Sequence, residues 1–423
     1  MTTLLFVNAA QVVTCAGAPR ARRGTEMRDA GVRAGVAVAV DGERIAAVGA
    51  RDALEARWPE AERIDCGGGV LTPGLVDSHT HAVFGRARAD EQELRAAGVG
   101  YMEIAQRGGG IHASVRDVRA RSEAELMALA RARLRRLASY GTTTVEVKSG
   151  YGLTVEDELK LLRVIARLAG ELPLRLVPTW LGAHEIPPEH RATPSARASY
   201  VNMLIHDMLP RVLDQQLARF ADVFCEPGVF TVDESRRILG AARDAGLALK
   251  LHADELEPSG GAELAAELGA TSADHLAAIS LAGVDALARA GTVATLLPGT
   301  MLFLGKGKQA PARALIDGGA AVALATDFNP GTSPTVNLPL ILTLGVSELR
   351  MSAAEVLVAA TVNGAAALGL ATRIGQIAPG FSADLALFDI EDARELPYWY
   401  GDRRCRGTWV RGKPCHPCEL PVS

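Results

Sequence analysis

The chain has 423 residues, 48% of them hydrophobic and 22% charged, and 45 Lys+Arg against 49 Asp+Glu give a formal charge of −4. That length predicts two or three domains with ample core, the composition excludes disordered and fibrous folds, and the near-neutral balance argues against a nucleic-acid or membrane-surface binder. No apolar run approaches the ~18 residues of a transmembrane helix, no basic n-region opens the chain, and six scattered cysteines make no disulfide framework, so a soluble cytoplasmic protein is expected.

The first seventy residues or so read as β. A strand is expected over Leu4–Val13, and the stretches 36–40 and 43–49 flank an Asp41-Gly42 turn, a strong hairpin signal. Arg20, Arg22, Arg23, Arg28 and Arg33 between them read as a solvated loop, because Glu26 and Asp29 dilute any basic patch. From Gly74 the texture changes. Apolar, β-branched stretches (142–147, 174–179, 222–225, 247–251, 292–297 and 320–325) alternate with amphipathic segments. Three of those open with capping boxes, at Ser122/Glu125, Thr231/Glu234 and Ser352/Glu355, which mark helix starts.

Such alternation implies parallel βαβ units, and about eight of them fit between residues 74 and 370, the size of a (β/α)8 barrel. A doubly wound open sheet would show G-x-G-x-x-G after an early strand, and none follows one. After Ala371 the β texture returns, over 375–377, 384–389 and 407–412. The expected fold is α/β: a (β/α)8 TIM-like barrel over 73–370, with a small β-sandwich domain built from both chain termini, 1–72 and 371–423.

The histidines carry the chemistry. His79 and His81 lie two apart at the end of the first barrel strand, so both face the same way, at the barrel end where active sites sit. Two neutral imidazoles aimed at one point suit a borderline transition metal, though His-x-His alone is a weak signal. It sharpens because other predicted strands also end in polar groups: His184, His252 with Glu255 three residues on, His275 and Asp327. Four ligands, His79, His81, His252 and Asp327, leave a position for water, which is a catalytic arrangement. Asp327 is then placed to accept the water's proton, His275 to hydrogen-bond the hydroxide or the carbonyl oxygen, and Glu255 to carry a proton to a ring nitrogen. The reaction class is metal-assisted hydrolysis at a carbon bonded to nitrogen.

The stretches PGLVDSHTHAVFGRAR (73–88), EVKSGYGL (146–153), LGAHEIPPE (181–189), FCEPGVFTVDESR (224–236), LKLHADELEPSGGAEL (249–264), SADHL (272–276), LLPGT (296–300) and ATDFNPGTSPT (325–335) add a resemblance. Together they make the chain similar to the amidohydrolase superfamily and, within it, to the imidazolonepropionase family of histidine degradation. The resemblance implies one divalent or trivalent transition metal, zinc or iron, at His79, His81, His252 and Asp327. It implies substrate contacts from Arg88, Tyr151, His184, Glu255, Asn329, Gly331 and Thr332, with Thr332 a mild swap for the Ser also found there. The implied reaction opens the ring of 4-imidazolone-5-propanoate, a small molecule, to N-formimidoyl-L-glutamate.

The chemistry of that substrate agrees. A guanidinium can clamp its carboxylate tail, and Arg88 is preferred to Arg86; Asn329 and the Gly331 amide follow Asp327 closely enough to hold polar groups of the opened product. Some related enzymes bridge two metals with a carboxylated lysine, but Lys148 follows the second strand and has Glu146 as a ready partner, so one metal is expected. Cys415 and Cys418 read as a loop rather than half a zinc knuckle, and Cys225 as a buried thiol. His112, His190 and His206 stand outside the site, and Gly108-Gly109-Gly110, after Tyr101, is the mobile-loop candidate. A homodimer is a candidate assembly. The rival readings are an aminohydrolase of a nucleobase or guanidine-like ring, which shares the His252/Glu255 spacing, and a non-catalytic scaffold, which should have lost ligands.

Overall fold

The computed structural model describes residues 3–99, 103–104 and 108–416. Eight parallel strands stand side by side in chain order: β1 (Leu75–Asp77), β2 (Thr142–Lys148), β3 (Arg175–Ala183), β4 (Phe220–Cys225), β5 (Ala248–Ala253), β6 (Ser272–His275), β7 (Val293–Leu296) and β8 (Val322–Leu324). The first and last meet just beyond their C-terminal ends, where Asp327 N–H donates to the His79 carbonyl (3.0 Å) and His81 N–H to that of Phe328 (2.9 Å). The barrel is thus closed by the segments expected to carry metal ligands.

The strands are buried on both faces, as a helix-covered parallel sheet requires. The capping boxes at Ser122, Thr231 and Ser352 are all formed and start the helices Glu123–Ala138, Val232–Asp244 and Ala353–Ala359. Asn363 donates to the Val322 carbonyl of β8 at 2.9 Å, and Val76 N–H of β1 donates to the Ala360 carbonyl at 2.8 Å.

Both chain ends supply two further sheets. One pairs Arg44–Ala50, Val36–Asp41, Thr3–Val7 and Glu62–Asp65; the other pairs Lys413–His416, Cys405–Val410, Leu385–Phe388, Val70–Pro73, Gln11–Val13 and Val32–Arg33. They share a core of Leu4, Phe6, Val38 and Val40 with Leu71, Leu385, Leu387 and Trp409, and Phe6 meets Trp409 edge-on at 4.9 Å. This is the expected sandwich. Among the described residues, no helix is long and apolar enough to cross a membrane.

Three local expectations are corrected. The strand expected over Leu4–Val13 is two strands in different sheets, because Asn8 turns the chain through a left-handed conformation (φ 58°). The arginine-rich segment is solvated at Arg20, Arg28 and Arg33, as expected, but departs from that reading at Arg22 and the residues packed beside it. Arg22 is 8% exposed and donates to the carbonyls of Ala18 and Cys15, its amide binds Asn363, and Met27 is fully buried. Residues 375–377 form no strand; Ile377 makes a single backbone bond to Thr14.

Candidate active site

The C-terminal ends of the strands open into a cavity of about 1100 Å³, whose lining includes His81, Arg88, His112, Tyr151, His184, His252, Glu255, His275, Asp327, Asn329 and Thr332. His79 lies beneath it, fully buried. Of the expected site residues only His79 and Gly331 do not line the cavity. A Cβ on Gly331 would fall 1.4 Å from Arg88 Nη2, so the glycine makes room for the guanidinium. Arg88 is 5% exposed, whereas Arg86 points outward and pairs with Asp90.

The side chains expected to hold metal converge. Asp327 Oδ1 lies 3.5 Å from both His79 Nε2 and His81 Nε2, and His81 Nε2 lies 3.5 Å from His252 Nε2. Donors held ~2.1 Å from one ion at neighbouring positions stand roughly 3.0–3.6 Å apart, so the donor set fits a transition metal. His79 Nε2 is buried and has no hydrogen-bond partner among the described residues, as expected of an atom kept for a metal. His275 and His184 extend the cluster, His275 with His79 and His252, His184 with His81 and His252.

Carboxylates fix the rings. His79 Nδ1 sits 2.7 Å from Asp274 Oδ2, and His252 Nδ1 sits 3.1 Å from Asp222 Oδ1, which leaves each Nε2 lone pair facing the cage. Behind them Lys148 donates to Asp222 at 2.6 Å and Glu146 at 2.9 Å, while Lys250 donates to the Ser78 carbonyl at 2.9 Å and lies 3.4 Å from Asp274. Burial alone would raise Asp222, but His252 and Lys148 hold it well below the usual range. Lys148 therefore serves as a buried counter-charge and has Glu146 as its partner, as expected.

Burial keeps His79, His81 and His275 neutral, well below the usual histidine value, and takes His184 to about 3. Burial raises Asp327 to about 6 against the hydrogen bond from Thr300, which holds Oδ2 at 2.7 Å. Glu255 is raised well above the carboxylate range by burial and then by the charges of Asp327 and Glu226. Its carboxyl stands 3.7 Å from His275 Nδ1. Two of these groups sit on strained backbone, His275 at φ 79° and Asp327 at φ 51°, as functional strand ends often do.

His184 Nδ1 lies 2.8 Å from the Gly150 carbonyl, so Nδ1 carries the proton and Nε2 remains an acceptor. Asn329 Oδ1 accepts from Gly331 N–H (2.8 Å) and Thr332 N–H (2.7 Å), which shapes the loop after β8.

Several groups were not singled out from the sequence although their motifs were. Asp222, Asp274, Glu226 and Thr300 act on residues far away in the chain, and no local spacing marks them. His112, set aside as partnerless, lines the cavity; His190 instead meets the Ala196 carbonyl. Cys225 is buried, its thiol raised by desolvation. Cys415 lies in the strand Lys413–His416, while Cys418 and Tyr101 lie outside the described residues.

Comparison with known proteins gives two family matches: the amidohydrolase family over residues 106–416, and a bacterial imidazolonepropionase-like composite domain over residues 37–61. The chain is 49% identical to the imidazolonepropionase of Symbiobacterium thermophilum, covering 94% of this chain and 93% of that one. It is 46% identical to that of Geobacillus kaustophilus, covering 98% of each. Among solved structures, an adenosine deaminase from Xanthomonas campestris with bound zinc superposes with a TM-score of 0.74 at 21% identity, over 100% of this chain and 95% of that one. An amidohydrolase from a Sargasso Sea sample gives 0.71 at 21% identity, over 100% and 95%. These two show the fold alone.

Proposed function

The chain belongs to the imidazolonepropionase family of the amidohydrolases, and on that premise we propose how its own residues carry the reaction. The activity is metal-dependent hydrolysis of the cyclic amide of 4-imidazolone-5-propanoate to N-formimidoyl-L-glutamate. His79, His81, His252 and Asp327 would hold one ion, zinc or iron, which when bound supplies Lewis acidity, making water a nucleophile near neutral pH and drawing charge from the carbonyl oxygen.

The protein does the rest. Asp327 takes the proton of the attacking water, its second oxygen being fixed by Thr300. Neutral His275 gives a hydrogen bond to the oxygen that gains charge. Glu255, protonated by its burial, donates to the ring nitrogen as the C–N bond breaks. Arg88 and Tyr151 hold the propionate tail, His184 Nε2 accepts a ring N–H, and Asn329, Gly331 and Thr332 receive the polar groups of the product. We assign 73–370 to the barrel and 1–72 with 371–423 to the second domain, supported by the pairing of Val70–Pro73 with Leu385–Phe388. A cytoplasmic homodimer without nucleic-acid partners accompanies this reading.

The observation that carries it is the convergence of three imidazole Nε2 atoms and Asp327 Oδ1, two of the rings braced by carboxylates. The test is to follow loss of ultraviolet absorbance of freshly made imidazolone propionate, with ammonia and metal measured on the same sample. Ring opening without ammonia, at about one metal per chain and abolished in Asp327→Ala, is expected. Ammonia release would favour an aminohydrolase, and no turnover by metal-replete protein would overturn the substrate.

A further inference from the structure

The substrate ends in a carboxylate, and Arg88 is not an uncommitted cation. Its Nε lies 3.3 Å from Glu91 Oε2, with both side chains buried, so its charge is matched before a second carboxylate enters. Glu91 Oε1 in turn accepts from Gly110 N–H at 2.8 Å, and Arg88 Nη1 lies 3.4 Å from Ser114 Oγ. These bonds fasten Arg88 to the start of the helix Ile111–Ala120, whose first residues wall the cavity. An incoming carboxylate therefore needs donors beyond Arg88, and the N-terminal turn of a helix is a suitable place to find them.

His112 stands in that turn. Its side chain is 9% exposed and lines the cavity, yet neither Nδ1 nor Nε2 has a hydrogen-bond partner among the described residues. A buried imidazole with both nitrogens unpaired is costly unless a ligand or water completes it. The charges around the ring are mostly cationic, Arg191, Arg116 and Arg119 against Glu189. Burial, then Arg191 and Arg116, push it down to about 4, so at neutral pH it keeps one N–H to give.

We propose that His112 is a further substrate-contacting residue, its ring N–H binding the carboxylate tail in the cavity that it lines together with Arg88 and the start of its helix. The proposal rests on the substrate reading above. It is tested by comparing wild type, His112→Ala and His112→Gln on imidazolone propionate and on the same ring with a methyl group in place of the propionate. His112→Ala should raise KM for the propionate compound about tenfold, the value of one hydrogen bond to a charged group, with kcat and metal content unchanged. His112→Gln, which keeps a donor, should recover most of that loss, and both variants should treat the methyl compound as wild type does. An unchanged KM, equal losses on both compounds or no recovery by glutamine would overturn the proposal. Wild type that opens the methyl ring but not the propionate one would overturn the substrate reading itself, and with it the reason for His112.

Discussion

At Glu255, burial and the negative charges of Asp327 and Glu226 favour the protonated carboxyl, and Glu226 also fixes the segment in space. Its two oxygens accept from the backbone N–H groups of Glu255 (3.0 Å), Leu256 (3.2 Å) and Glu257 (2.8 Å). A proton donor works only while it holds its proton, so kcat should fall as pH rises through the Glu255 pKa. Glu255→Gln keeps the shape and loses the transfer; kcat should drop by about 10²–10⁴, and the alkaline limb assigned to Glu255 should vanish from its pH profile. A limb that persists unchanged in the variant would move the proton donor elsewhere. The proposed ligands were legible in the sequence because each ends a strand with a distinctive polar residue. The groups that brace them were not. Asp274 and His79 lie 195 positions apart in sequence, and only barrel closure brings them within 2.7 Å.

The loop after β2 shows the same limit one level up. EVKSGYG was readable as a motif, but what holds it is Glu158, one turn into the helix Val155–Glu171. Its carboxylate accepts from the backbone N–H groups of Gly150 (2.9 Å), Gly152 (2.7 Å) and Leu153 (2.9 Å). At Gly152 a Cβ would come within 2.6 Å of the Asp157 and Glu158 backbone, so only glycine lets the helix approach so closely. Glu158→Ala strands three buried donors at roughly 1–3 kcal/mol each; a loss of several kcal/mol in denaturant unfolding is expected. Because the loop also carries Tyr151 and the Gly150 carbonyl that orients His184, KM should rise with metal content retained. The hairpin and the capping boxes were legible because their signals are local. The strand break at Asn8 and the burial of Arg22 within the arginine-rich loop were not, since each depends on what the chain meets across the fold: Ala10 N–H bonds to Gly69, and Gly24 N–H to Ala320.

Across the whole molecule the donor set joins parts of the chain that no single element connects. His79 and His81 follow β1, Asp327 follows β8 and His252 belongs to β5, so an ion bound by all four ties both edges of the eight-stranded sheet to its far side. Without it, closure at that point relies on the bonds Asp327 N–H to His79 and His81 N–H to Phe328, and buried donor atoms are left facing one another. A ligand that binds only the folded state stabilises it by RT ln(1 + [L]/Kd), about 4.1 kcal/mol at a thousandfold excess over Kd. Stripping the metal with a chelator should therefore lower Tm by several degrees, and adding zinc back should restore it. In Asp327→Ala the cage is broken at the edge of β8, so its Tm should respond far less to the same chelator and zinc additions. If the variant responded as fully as wild type, the ion that matters for stability would lie outside this cage, and the assignment of its four ligands would fall with it.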